Sequence, residues 1–367
     1  MNDDVVAALA LLLGDAVLLI VFLWMPVMRG ARAFFGVRVS DETYRGEGRR
    51  VLWRYWQTLA ALFVLLGAVG YYAATRLGQP LPAVLASVGW AAGAFLVYLF
   101  YARRVRPYAV PGGETRFASS VHARRLDDYT LRWLEAWVVL LTCAPYAVLG
   151  YFYPQLPDPL PVHWNAAGEA DDWARKTFSA VFFLPTLGVY MQFLFFVLKR
   201  DLVHAKLTLP AKHAEEYLRG KERYLRANMR LLDWARACVA AILFCISLLT
   251  LCTSLPEFGR YVAAAGAAIW ASVALMVGGI FYFIYRMASV NAEIEELTGD
   301  EYVQRAAEER HWRHGGLTYY NPDDPALMVE KLVGLGYTLN MAHKAVRYRL
   351  ALLLGVPLFV LWAVFSL

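Results

Sequence analysis

The sequence predicts an all-α, polytopic membrane protein of about eight transmembrane helices, with a small cytoplasmic α+β appendage. Three observations carry that expectation. Of 367 residues, 59% are hydrophobic and only 18% are charged. The mean hydropathy is +0.41. The charges are also segregated, with basic clusters separating long charge-free runs. A soluble chain carries nearer to about 25% charge, so a soluble two-domain enzyme is set aside at the outset.

Charge-free apolar runs place the spans near 5–28, 56–76, 80–102, 133–153, 177–198, 236–256, 261–285 and 346–367. Each is close to the ~20 residues that cover a ~30 Å hydrocarbon core. The cores of the second to seventh spans hold no Asp, Glu, Lys or Arg, whereas the first contains Asp15 and the last begins with Arg347 and Arg349. With the N terminus outside, 32 of the 36 basic residues fall in cytoplasmic loops, and the positive-inside rule then puts both termini outside. Each basic cluster abuts a span, so lipid headgroups are the expected partner and nucleic acid is not. The first segment lacks a basic leader region and reads as a span, not as a cleaved signal.

The organisation that follows has five parts: a three-span region over 1–132, a two-span unit over 133–198 around the loop 153–177, a second two-span unit over 199–311, a cytoplasmic module over 312–345, and a last helix over 346–367. In the third part, Tyr217, Leu218, Tyr224, Leu225, Leu231 and Leu232 form a stripe at seven-residue spacing amid Arg and Lys. Met287, Val290, Ile294 and Leu297 form another amid Glu. These two stripes predict helical extensions of adjacent spans that pair as an antiparallel hairpin of complementary charge. In the module, Leu317–Tyr320 reads as a short strand and Asn321–Pro325 as a turn. Asp324 is then expected to cap a helix that begins at Pro325 and stops at Gly334–Gly336.

Cys238, Cys245 and Cys252 lie on one stripe of the sixth span, with Cys143 in the fourth; small residues at a helix contact are the expected reading, and no disulfide framework is visible. His311 and His314 read as a solvated helix end. Pro145 and Pro185 are expected to kink their spans.

The loop between the fourth and fifth spans is the most distinctive stretch. Pro154, Pro157, Pro159 and Pro161 enforce extended or turn geometry. Val162-His163-Trp164-Asn165 leads to a turn at Asn165–Gly168, after which Glu169, Asp171 and Asp172 precede Lys176. The ligand-binding candidates are His163, Trp164, Asn165, Glu169, Asp171, Asp172 and Lys176. His163, Glu169 and Asp171 are also weak metal candidates, because an imidazole and carboxylates suit a divalent cation but lack a recognised spacing. A His163–Asp171 dyad could instead activate water. No cofactor is expected.

Two polar residues lie within spans. Asp15 is costly at mid-depth and must be paired, protonated or facing water; Gln192, Ser247 and Thr250 are the expected partners. Glu135 reads as an interfacial ion pair with Arg132.

The run from Leu156 through Pro161, His163, Trp164, Asn165, Gly168, Asp171 and Trp173 to Lys176 resembles the motif of the SdpI-like family, bacterial membrane proteins named after an immunity protein against a secreted toxin. The likeness covers about 25 residues and the two flanking spans. Residues 319–325 and 334–340 resemble a cytoplasmic module of related uncharacterised proteins. What the resemblance implies is a bacterial inner-membrane location, protection from an extracellular peptide, and sequestration of a cytoplasmic regulator. The expected function is a sensor or immunity-type protein whose loop 153–177 meets a peptide or envelope component and couples to cytoplasmic elements. Two alternatives stay open: a proton-linked transporter or channel using Asp15, and a membrane enzyme using His163 and the acidic cluster. The chain reads as a binder more than an enzyme.

Overall fold

In the computed structural model the described residues are 12, 15–16, 18–27, 30–76, 80–110, 124–165, 168–206, 213–298, 311–332 and 335–366. Six helices among them are long and apolar enough to cross a membrane. Large apolar side chains such as Val64, Leu65, Leu96, Val139, Phe193 and Leu275 stand exposed on them. Hydrocarbon solvates such faces, and it forces backbone polar groups to pair within the helix. The protein is therefore a multi-pass, mostly helical membrane protein with small strand pairs. Residues 5–11, 13, 14, 17 and 28 of the first expected span lie outside the described residues.

The chain forms two compact units: 1–119 with 206–213 and 298–342, and 120–205 with 214–297 and 343–367. In the first, α1 (Arg49–Arg76) packs along α2 (Pro80–Val105). Beneath them sits an aromatic core in which Phe35, Tyr55 and Tyr98 are fully buried. The preceding helix ends at Trp24, and its orphan carbonyls find side-chain donors. Tyr55 Oη donates to the Phe22 carbonyl at 2.7 Å, and Trp56 Nε1 to that of Leu23 at 3.1 Å.

The module belongs to this unit. Its strands β3 (Trp312–Arg313) and β4 (Thr318–Tyr319) pair antiparallel, and so do β5 (Met328–Glu330) and β6 (Tyr337–Leu339). The strand expected at Leu317–Tyr320 is present, but the helix expected from Pro325 is not. Asp324 makes no N-cap: its Oδ1 accepts from the Ala326 N–H at 3.0 Å, closing a tight turn that feeds β5. What replaces a hydrophobic centre is a buried polar network. Asn340, wholly buried, donates to the Asn321 carbonyl at 2.8 Å and accepts from the Asn321 N–H at 3.0 Å.

The second unit begins with α3 (Arg132–Phe152), followed by the hairpin strands β1 (Leu160–Trp164) and β2 (Ala170–Ala174). Helices α4 (Phe178–Val203), α5 (Ala214–Ser254), α6 (Val262–Thr298) and α7 (Lys344–Ser366) complete it. Pro145 and Pro185 lie buried inside α3 and α4. The expected charge pairing between α5 and α6 is present at Arg223–Glu293, 2.7 Å apart. Beside it, Ile294 presses on Gly220, where an added Cβ would stand 2.7 Å from Ile294 Cγ1. Toward α7, Arg349 holds Asp201 through two contacts of 2.9 and 3.1 Å.

Candidate functional site

The loop 153–177 is a short antiparallel hairpin seated on helix ends. Two strands alone are marginal in water, so the support has to come from below. Leu156, Leu160 and Ala174 supply it, buried in one cluster with Leu149 of α3, Val181 and Phe182 of α4, Leu251 of α5 and Leu255 just beyond its end. Trp164 Nε1 adds a polar anchor, donating to Thr253 Oγ1 of α5 at 3.1 Å.

Each candidate side chain has a defined place. At the turn, the Asn165 N–H donates to the Glu169 carbonyl at 2.9 Å, and Asn165 Oδ1 accepts from the Glu169 N–H at 2.9 Å. Asn165 Nδ2 also reaches Glu169 Oε2 at 3.1 Å. Gly168 takes a φ of +84° there, a conformation that favours glycine. Lys176 is tied to the hairpin base: its Nζ donates to the Leu156 carbonyl at 2.7 Å and its N–H to Asp158 Oδ1 at 3.0 Å. Asp172 accepts from the neighbouring Trp173 N–H at 2.9 Å.

That leaves one pair facing water. His163 Nδ1 and Asp171 Oδ1 lie 2.5 Å apart across the strands, with side chains 67% and 38% exposed. Such a partnership orients the imidazole and directs its other nitrogen outward. Of the three metal candidates, His163 and Asp171 come together, whereas Glu169 is engaged with Asn165. Among the described residues no group of three or more His, Cys, Asp or Glu is gathered as a metal site would require.

Beside the pair opens a cavity of about 500 Å³. Its walls are mainly apolar, from Leu149, Val162, Trp173 and Leu184, while His163, Asp172 and Thr250 supply polar groups. That mixture of an apolar interior with a few fixed polar groups is the common composition of a ligand site.

At the opposite end of the same helices lies a cluster that the sequence reading did not find. Lys199 of α4 and Asp233 of α5 pair at 2.5 Å with side chains 3% exposed each. Arg236 of α5 contacts Glu135 of α3 at 2.5 Å and Asp233 at 3.4 Å, and Lys199 stands 3.8 Å from Glu135. Glu135 therefore pairs with Arg236 and Lys199, not with the Arg132 expected from sequence adjacency. Gln192 Nε2 donates to the Arg236 carbonyl at 3.2 Å. The available signal was positional: all four charges sit near the same end of three successive spans.

Asp15 lies in the first unit, where Ser87 of α2 donates to its Oδ1 at 2.6 Å. The partners expected for it, Gln192, Ser247 and Thr250, have other bonds: Ser247 and Thr250 donate to carbonyls of their own helix. In the module, Asp324 accepts from Lys206 Nζ and from Tyr319 Oη, each at 2.9 Å. Burial pushes its carboxyl up, but Lys206, the Ala326 N–H and Tyr319 together outweigh it and hold the group below the usual carboxylate range.

Two family models match parts of the chain. Residues 140–189 match a domain of unknown function, DUF1648, which covers the hairpin with most of α3 and the first half of α4. Residues 322–347 match a family of unknown function, DUF5808, a stretch that includes Asp324 and Asn340 of the module's polar network. No curated protein and no solved structure matches the chain. The two matched stretches thus take in the hairpin with parts of its flanking helices, and much of the module.

Proposed function

We propose that the chain is a bacterial inner-membrane sensor or immunity-type protein, its termini and hairpin outside, that receives an extracellular peptide or envelope component at residues 153–177. The observation that carries this reading is the cavity of about 500 Å³ beside the exposed His163–Asp171 pair. An apolar side chain of a peptide would fill the space between Val162, Trp173 and Leu184. The imidazole and carboxylate would meet its polar backbone or terminus. The SdpI-like resemblance of the same stretch supports a recognition role for the hairpin. The orientation rests on the basic loops. Cytoplasmic coupling would pass through α5, which touches the hairpin at Thr253 and the α6 extension at Arg223.

The test is a challenge of cells making the chain with a panel of secreted antimicrobial peptides. Wild type is expected to raise tolerance to at least one peptide, and His163→Ala and Asp171→Asn, inserted at equal levels, to lose that protection. Loop variants that respond to every peptide as wild type does would overturn the reading.

A further inference from the structure

The first unit holds a cavity of its own, of about 560 Å³. Three stretches remote in sequence wall it: the turn at Phe35–Val37, the end of α2 with the residues just after it, and the module segment 312–316. Its apolar part comes from Val37, Leu99 and Trp312. Its polar part is basic: the guanidinium groups of Arg103, Arg106 and Arg313 border it together with the His314 imidazole, and none of the described lining residues is acidic. Among the described residues, no carboxylate lies within ion-pair distance of the three arginines.

The shape of this cavity depends on close backbone packing. A Cβ on Gly36, whose φ is +83°, would stand 2.0 Å from the Gly315 carbonyl oxygen. A Cβ on Gly315 would stand 2.7 Å from Ala102 Cβ. Tyr98 Oη, rooted in the aromatic core, donates to the Gly315 carbonyl at 2.8 Å and fixes the segment to α2. Two of these polar side chains are held in place as well. The Arg313 guanidinium lies 4.2 Å over the Tyr320 ring, and His314 Nδ1 meets Thr318 Oγ1 at 2.7 Å. Convergence of cations from separate segments onto one preformed hollow is different from the scattered basic residues that any span end carries.

We propose that this cavity binds the phosphate of an anionic phospholipid headgroup. Guanidinium forks match phosphate oxygens in geometry and charge. The site lies where the apolar run of α2 gives way to Arg103 and Arg104, which is headgroup depth for a membrane span. The apolar wall gives the glycerol and the first acyl carbons a surface to rest on, which a free phosphate ion would not need.

The test uses the full chain purified in a non-ionic detergent and titrated calorimetrically with three probes: dihexanoyl phosphatidylglycerol, dihexanoyl phosphatidylcholine and inorganic phosphate. Phosphatidylglycerol is expected to saturate one site. Arg103→Gln, Arg106→Gln and Arg313→Gln are each expected to weaken it about fivefold, and the triple variant about a hundredfold. Arg260→Gln, in the other unit, should leave binding unchanged. Gly36→Ala keeps every charge but distorts the walls, so it too should weaken binding if the hollow matters. A triple variant that elutes as a folded monodisperse species and still binds like wild type would overturn the proposal. So would phosphatidylcholine binding as tightly as phosphatidylglycerol. Inorganic phosphate matching the lipid, with the same arginine dependence, would overturn the lipid assignment in favour of a soluble phosphate.

Discussion

At the hairpin end of the second unit, His163 and Asp171 pair in the open, with side chains 67% and 38% exposed. At the other end of the same helices, Lys199 and Asp233 pair with 3% exposed each, and Arg236 beside them is 6% exposed. The distances are alike, yet the consequences differ. An exposed pair is screened by water and contributes about 0–1 kcal/mol. A buried charge must be neutralised, and removing its partner costs about 3–5 kcal/mol. The buried cluster is therefore fastened to the fold, whereas the exposed pair adds little to stability. Its residues are available for a ligand because the fold does not depend on them.

The largest expected effect tests the buried cluster. Asp233→Asn leaves Lys199 and Arg236 short of negative charge, and it should lower the unfolding free energy of the detergent-solubilised protein by about 3–5 kcal/mol. Replacing both partners, with Lys199→Met and Asp233→Leu, should recover much of that loss in the same melts. A single variant as stable as wild type would break the comparison.

The module extends the rule to a second buried network. Asp324→Asn weakens the contacts to Lys206 and Tyr319 and should cost about 2 kcal/mol, read as lost hydrogen-exchange protection across β4–β6. The depressed carboxyl also fixes the direction with pH. Its contribution is complete above the unfolded value of about 3.9 and disappears as pH falls through the lower folded value. Protection of the wild-type module should hold at pH 5 and fade below about pH 4, and the variant should lose that dependence.

Smaller effects sharpen the hairpin end. Gly168→Ala forces a side chain into a φ of +84° and should cost about 1 kcal/mol in the same melts. His163→Ala should change stability by about 0.5 kcal/mol or less while abolishing peptide protection. A loss of several kcal/mol at His163 would instead make the hairpin pair structural.

Much of this arrangement was legible in the sequence. Unbroken apolar runs placed the helices because lipid leaves the backbone no other solution. Four prolines followed by Asn165 and Gly168 marked the ordered loop, although the hairpin was read only as a turn. The complementary stripes on α5 and α6 anticipated the Arg223–Glu293 contact. The buried cluster escaped because Glu135, Lys199, Asp233 and Arg236 sit at span ends, where solvation by headgroups is the ordinary reading. Their partners lie on other helices, and local spacing carries no sign of them. Asp324-Pro325 followed the pattern of a helix start, but Asn321 and Asn340, nineteen residues apart, close a network that favours a turn and a strand. Asp15 found Ser87 rather than Gln192 for the same reason: depth along a span restricts possible partners without selecting one.

Helix α5 runs without interruption through 41 residues, about 60 Å at ~1.5 Å per residue. One end holds Trp164 through Thr253, and some thirty residues away Arg223 holds Glu293. A rod of that length is a lever. If it pivots near Thr253, a tilt of about 5° sweeps Arg223 sideways by about 4 Å, more than an ion pair tolerates. A small adjustment at the hairpin end would thus be magnified into a break or a new pairing at the far end of the helix, with no hinge and no unfolding required.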